Sequence, residues 1–327
     1  MKYFIDLHLH LDGSLPLSCI FELAKLSGVD LPAKTLPELT PYLVADPNCR
    51  DLAEFLEKFQ LPIALLQEEA SLELAVYELL RTISGQGVIY AEVRFAPGSH
   101  CQNGLTQHQV MSAAIRGLKR GVEDFPIQAQ LIACAMRGAP PEVNRETARV
   151  TKEFLGNGVC CMDLAGAESL FQTKDYKELF AYARSLDIPF IIHAGEAAGP
   201  DSVWTALEFG AKRIGHGIYS VKDPALVEHL CAHRIPLEVC VTSNVQIKEI
   251  ECAALHPVGE LIQSGVAVTL NTDNMTISGT TVAGEFALVQ KNFGLTDAQC
   301  DELYLNAVEA AFLSEEDKAK LCARLAE

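Results

Sequence analysis

Cationic runs are missing from this chain. Its 26 lysines and arginines stand against 43 aspartates and glutamates, a formal charge of −17, and no Lys/Arg-rich stretch interrupts that balance. A nucleic-acid groove or an anionic membrane surface needs such a stretch, so the composition argues against both partners and points to a small, uncharged or cationic ligand. Long apolar runs are lacking as well. Stretches such as VCCMDLAG fall far short of the roughly 20 residues that span a bilayer, and the start MKYFIDLHLH has no basic region followed by an apolar stretch, as a secretory signal would. Eleven cysteines form an odd set without regular spacing, which reads as reduced thiols in a cytoplasm. No Gly/Ser-rich linker, internal repeat or low-complexity segment divides the 327 residues.

Several metal and cofactor patterns also fail. The P-C-x-x-C signature of cysteine-based zinc deaminases is absent. GNG at 156 precedes a strand instead of following one, which is wrong for a dinucleotide fingerprint. His229 and His233 have the i, i+4 spacing of a helical zinc pair, but no glutamate follows the first, so they read as solvent-facing residues in mid-helix. Cys160 and Cys161 read as core packing.

What the chain does contain is a recurrent unit. Eight short apolar runs (YFIDLHLH, VIYAEVRF, AQLIACAMR, VCCMDLAG, PFIIHAGE, RIGHG, PLEVCVTSN and VAVTLNTDN) alternate with segments whose apolar residues recur at three and four. Buried parallel strands alternating with amphipathic helices predict an α/β fold, a single (β/α)8 TIM-type barrel over residues 1–327. Residues 33–68 break the alternation and read as a helical insertion after the first unit; the stretch from TDAQCDELYLNAVEAAF onward reads as C-terminal helices.

The site of such a barrel lies at the carboxyl ends of its strands. Polar residues fall there in series: His8, His10 and Asp12 after the first strand, then Glu92 and Arg94, Asp163 and Gly166, His193 and Glu196, His216, Thr242 to Asn244, and Asp273 with Asn274. In a strand His8 and His10 share one face, where two imidazoles side by side are costly unless something coordinates or neutralises them. With His193 and Asp273 they form a nitrogen and oxygen donor set suited to zinc or a similar divalent ion.

The motifs HLHLDGS, YAEVRFAP, DLAGAE, HAGE, RIGHG, LEVCVTSN and LNTDN, in this order, resemble the adenosine and AMP deaminase branch of the amidohydrolases. The resemblance implies that His8, His10, His193 and Asp273 hold one Zn2+ per chain, with His10 also facing the substrate. It implies that Glu196 is the proton donor and that His216 orients the attacking water. Asp12 would contact the ribose, and the Gly166 backbone and the side chain at 274 would hold the purine. Two positions depart from the pattern. Asn274 stands where a second aspartate often follows the first, and an asparagine amide can donate to purine N7 at any pH. Val241 stands where proline is common, a local backbone difference. No lysine lies near the ends of the third and fourth strands, where binuclear relatives carry one, so one metal is expected. DLAEFLEKFQLP resembles the mobile helix that covers the family's substrate, with Leu52, Phe55, Leu56 and Phe59 as its apolar side.

The expected activity is therefore hydrolytic deamination of adenosine or 2′-deoxyadenosine to the inosine product and ammonia. The ligand is an uncharged purine nucleoside, since Asp12 would repel a phosphate. The alternatives are a deaminase of adenine or of a 5′-modified adenosine (methylthioadenosine, aminodeoxyfutalosine), and a catalytically silent nucleoside-binding barrel.

Overall fold

In the computed structural model, which describes residues 2–46, 49 and 52–325, period-two alternation governs the first strand, β1 (Phe4–His10). Ile5 and Leu7 turn outward and pack with Tyr304, Ala307, Val308 and Leu321, while Asp6, His8 and His10 face the barrel interior. A strand puts successive side chains on opposite faces, so one heptapeptide supplies both a hydrophobic seam and a polar one.

Seven more parallel strands follow: β2 (Val88–Phe95), β3 (Gln128–Met136), β4 (Val159–Ala165), β5 (Ile192–Ala194), β6 (Ile214–His216), β7 (Leu237–Val239) and β8 (Val268–Leu270). They pair as β1-β2-β3-β4 and β5-β6-β7-β8. Two short bridges join the halves. Met162 pairs with Phe190 between β4 and the residues entering β5, and Leu9 pairs with Asp273 where the chain leaves β8. At the second seam Asp273 N–H donates to the His8 carbonyl (2.8 Å) and His10 N–H donates to the Asp273 carbonyl (2.7 Å). The result is the closed (β/α)8 barrel expected from eight β/α units.

The helical insertion is present as short helices Leu36–Leu43, Leu52–Glu57 and Gln60–Leu65. The C-terminal helices Asp297–Ala310 and Glu315–Arg324 lie against the outer side of β1 and β2. Local sequence sets several boundaries. Thr106 with Gln109 and Thr296 with Gln299 form reciprocal capping boxes at the starts of helices Gln107–Asp124 and Asp297–Ala310, each satisfying two end N–H groups. Val241 opens helix Val241–Gln246 and is fully buried, a first-turn position that also accepts proline. Cys160 and Cys161 are free thiols that pack in a buried cluster with Ile132 and Ile191. Among the described residues, no helix is long and apolar enough to cross a membrane.

Candidate active site

A cavity of about 300 Å³ opens at the carboxyl ends of the strands, at the small end of the range for ligand pockets. His10, Asp12, Gly166, His193, Glu196, His216, Asp273 and Asn274 all line it, so residues from five strand ends meet in one space. His8 lies directly behind, fully buried.

The imidazoles converge. His10 Nε2 is 3.3 Å from His193 Nε2, and Asp273 Oδ1 is 3.4 Å from His10 Nε2 and 3.5 Å from His8 Nε2. Two overlapping groups, His8/His10/His193 and His8/His216/Asp273, bring ligand atoms close enough to hold a metal ion. His8 Nε2 is buried and has no hydrogen-bond partner. An orphaned buried nitrogen is costly, and a cation accepting its lone pair would remove that cost.

Carboxylates set the other ring edges. His8 Nδ1 donates to Glu238 Oε2 at 2.8 Å, and His193 Nδ1 lies 2.9 Å from Asp163 Oδ2. Arg94 ties the two carboxylates together, donating from Nη1 to Asp163 (2.8 Å) and from Nη2 to Glu238 (2.8 Å). Arg213 continues the chain, donating to Glu238 Oε1 (2.6 Å) and to Glu92, which also accepts from Tyr90 and from the Phe312 N–H. Burial alone would raise these carboxyls, yet Arg94 and Arg213 hold Glu238 well below its ordinary range, and His193 with Arg94 does the same for Asp163. Burial pushes His10, His193 and His216 below their ordinary values, which favours neutral rings, the form in which His10 and His193 can coordinate.

Glu92, Arg94 and Asp163 therefore do not join the cavity wall, although the sequence puts them at strand ends. They are completely buried beneath it and act through the histidines. Glu238 belongs to the same network; it lies within LEVCVTSN, but its place inside the apolar run PLEVC gave no sign of a site role.

On the cavity side, Glu196 lies 3.4 Å from His216 Nε2 and accepts from Asn244 Nδ2 at 3.0 Å. Burial, reinforced by the negative charges of Asp273 and Glu168, pushes its carboxyl well above the usual range, in the direction that favours the protonated form. Its loop is shaped by Glu168, whose carboxylate accepts from the N–H groups of Gly195, Glu196, Ala197 and Ala198 at 2.8–3.0 Å and from Ser202 Oγ at 2.5 Å. That role was not read from DLAGAE. Two strand-end residues are held at positive φ, His216 at 61° and Asp273 at 59°, an unfavourable backbone for non-glycine residues that is typical of functional sites. Ser243 Oγ donates to Asp273 Oδ2 at 2.5 Å and leaves Oδ1 turned to the histidines.

Asp12 is buried with Oδ1 unpartnered, and desolvation raises it to about 6. Asn274 Oδ1 is likewise buried without a partner, packed on Gly13, where a Cβ would stand 1.9 Å from it. Gly166 lies at φ 103° beside Arg137, a backbone conformation that favours glycine. The apolar side of the cavity comes from Phe55, Leu56, Phe59 and Ile63; the Leu52 side chain lies outside the described residues. His229 and His233 sit far off in sequence on helix Pro224–His233, which His233 ends instead of lying within. His229 is half-buried against Trp204, His233 is exposed, and neither belongs to a group able to hold a metal among the described residues.

Known proteins resemble this chain over nearly its whole length. The family model for adenosine deaminase matches residues 4–327. An adenosine deaminase from Haemophilus ducreyi is 44% identical over 326 residues, covering 98% of this chain and 95% of its own. Among solved structures, an adenine deaminase from Arthrobacter aurescens superposes with a TM-score of 0.89 at 27% identity, covering 100% of this chain and 98% of its own. An amidohydrolase from Burkholderia ambifaria with bound zinc has a TM-score of 0.90 at 22% identity, covering 99% and 89%, a likeness of fold.

Proposed function

The chain belongs to the adenosine deaminase family, and on that premise we propose that it hydrolyses adenosine and 2′-deoxyadenosine to inosine and 2′-deoxyinosine with release of ammonia, as one catalytic domain over residues 1–327 in the cytoplasm. The observation that carries this reading is the meeting, in one cavity, of a divalent-cation donor set with a carboxyl of raised pKa, Glu196, and an imidazole, His216.

His8, His10, His193 and Asp273 would hold one zinc ion, a fit supported by the orphaned His8 Nε2 and the all nitrogen and oxygen donor set. When bound, zinc lowers the pKa of water from 15.7 toward about 7, so a nucleophile is available at neutral pH. Attack at purine C6 drives electron density to N1. Glu196 delivers its proton there as general acid, and its raised pKa is matched to that task. His216 orients the attacking oxygen. Asp12, buried and unpaired at Oδ1, accepts from a ribose hydroxyl, the Gly166 backbone and the Asn274 amide hold the base, and His10 borders the substrate. Phe55, Leu56 and Phe59 cover the purine and exclude water.

The test is ammonia release from adenosine, 2′-deoxyadenosine, adenine, methylthioadenosine and AMP by the same preparation. The nucleosides are expected to lead; adenine or AMP leading would replace this substrate assignment, and no release from any would favour a silent binding barrel.

A further inference from the structure

His256 is 2% exposed, lies outside the cavity wall and has no place in the chemistry above. We propose that His256 acts through Asn244 as a positioning residue that fixes the tautomer of His216, making His216 a hydrogen-bond donor to the reacting oxygen. The proposal rests on the deaminase reading of the cavity.

The chain of hydrogen bonds starts at a group with only one possible polarity. The Val258 backbone N–H donates to His256 Nδ1 at 3.1 Å. A backbone amide cannot accept, so Nδ1 carries no proton and the ring proton is on Nε2. Burial holds this imidazole down at about 4, in keeping with a neutral ring. His256 Nε2 lies 3.2 Å from Asn244 Oδ1 and donates to it. With its oxygen engaged, the Asn244 amide turns Nδ2 to Glu196 Oε1 at 3.0 Å and to His216 Nδ1 at 3.2 Å. Exchanging the oxygen and nitrogen of Asn244 would set two donors against each other at His256, so the orientation follows from the network.

His216 Nδ1 is therefore an acceptor, and the ring proton sits on Nε2, the nitrogen 3.4 Å from Glu196 Oε1 at the cavity edge. A protonated Nε2 has no free lone pair for a proton from water. It stabilises the attacking oxygen by donating to it, and a polarity set by a backbone amide 42 residues along the chain reaches the reacting atoms.

Two substitutions separate this role from mere packing. In His256→Asn the shorter side chain can still accept from Val258 but does not reach Asn244. In His256→Gln the amide nitrogen extends to the place of the ring Nε2 and restores the donor. Nuclear magnetic resonance of the ¹⁵N-histidine-labelled protein, with the His216 signals assigned by their loss in His216→Gln, reads which nitrogen bears the proton. Wild type and His256→Gln should both show His216 protonated at Nε2, and His256→Asn should lose that preference. For adenosine, kcat should fall about ten- to a hundredfold in His256→Asn with KM held within about twofold, as for lost outer partners of a site. His256→Gln should recover most of that loss.

A wild-type His216 protonated at Nδ1, or equal kcat and equal spectra for the two variants, overturns the proposal. The wild-type spectrum decides alone should His256→Asn not fold. Because that spectrum needs no turnover, a protein that fails to deaminate adenosine yet shows the Nε2 tautomer refutes the substrate reading and leaves the tautomer assignment standing.

Discussion

One oxygen of Glu238, Oε2, stands 2.8 Å from Nδ1 of His8 and 2.8 Å from Nη2 of Arg94. The carboxylate orients the imidazole and is itself kept ionised by the guanidinium, so the direction in which His8 presents Nε2 is set from below the cavity. Glu238→Gln should weaken zinc binding about 10- to 100-fold. It also removes one of the two buried counter-charges of Arg94 and of Arg213, which keep Asp163 and Glu92, so the loss of stability should stay below the about 3–5 kcal/mol of a fully unpaired buried charge. Chelator competition and urea unfolding measure the two effects, and unchanged metal affinity would deny Glu238 its orienting role. Wild-type protein should carry one equivalent of zinc, and His8→Ala none.

Glu196 should separate catalysis from binding. A proton given to N1 matters only as the aromatic ring is broken, so its removal lowers turnover and not ground-state affinity. Glu196→Gln keeps the shape, cannot supply a comparable proton, and should lose at least about a hundredfold in kcat. Zinc content and nucleoside affinity, measured on the same preparation, should stay near wild type. Near-normal turnover would leave the proton donor unidentified.

Asp12 should read the sugar. Its buried, unpartnered Oδ1 is an acceptor without a donor in the protein, and a ribose hydroxyl would supply one. Asp12→Ala is expected to weaken adenosine binding more than adenine binding. Inhibition constants for the two ligands test this, and equal losses would place the sugar elsewhere.

His256 should also leave a mark on stability against pH. Its pKa is lowered from 6.5 to about 4 in the folded chain by burial. Between those values the unfolded chain binds the proton and the folded chain does not, so acid favours unfolding. The contribution is complete above pH 6.5 and is lost as pH falls toward 4, amounting to about 3 kcal/mol at 1.36 kcal/mol per pH unit. The stability difference between wild type and His256→Gln should shrink by about that amount from pH 7 to pH 4 in urea unfolding. A constant difference would mean that His256 titrates normally.

Local features of the chain were enough for the barrel and for the cavity wall. Strand parity sends His8 and His10 to one side, and the position of His193, Glu196, His216, Asp273 and Asn274 at the ends of apolar runs brings them to one rim once eight units close. These facts need only nearest neighbours along the sequence. Partner choice is different. His8 meets Glu238 across 230 positions, and Asn244 is turned by a histidine whose own polarity comes from Val258. Glu92, Arg94 and Asp163 look, in the sequence, like residues of the rim, and only the closed barrel shows them buried beneath it. The physical reason is that a hydrogen bond or ion pair depends on distance and direction between groups on different strands. Barrel closure fixes both, whereas the periodicity of a single strand fixes only which way a side chain leaves it.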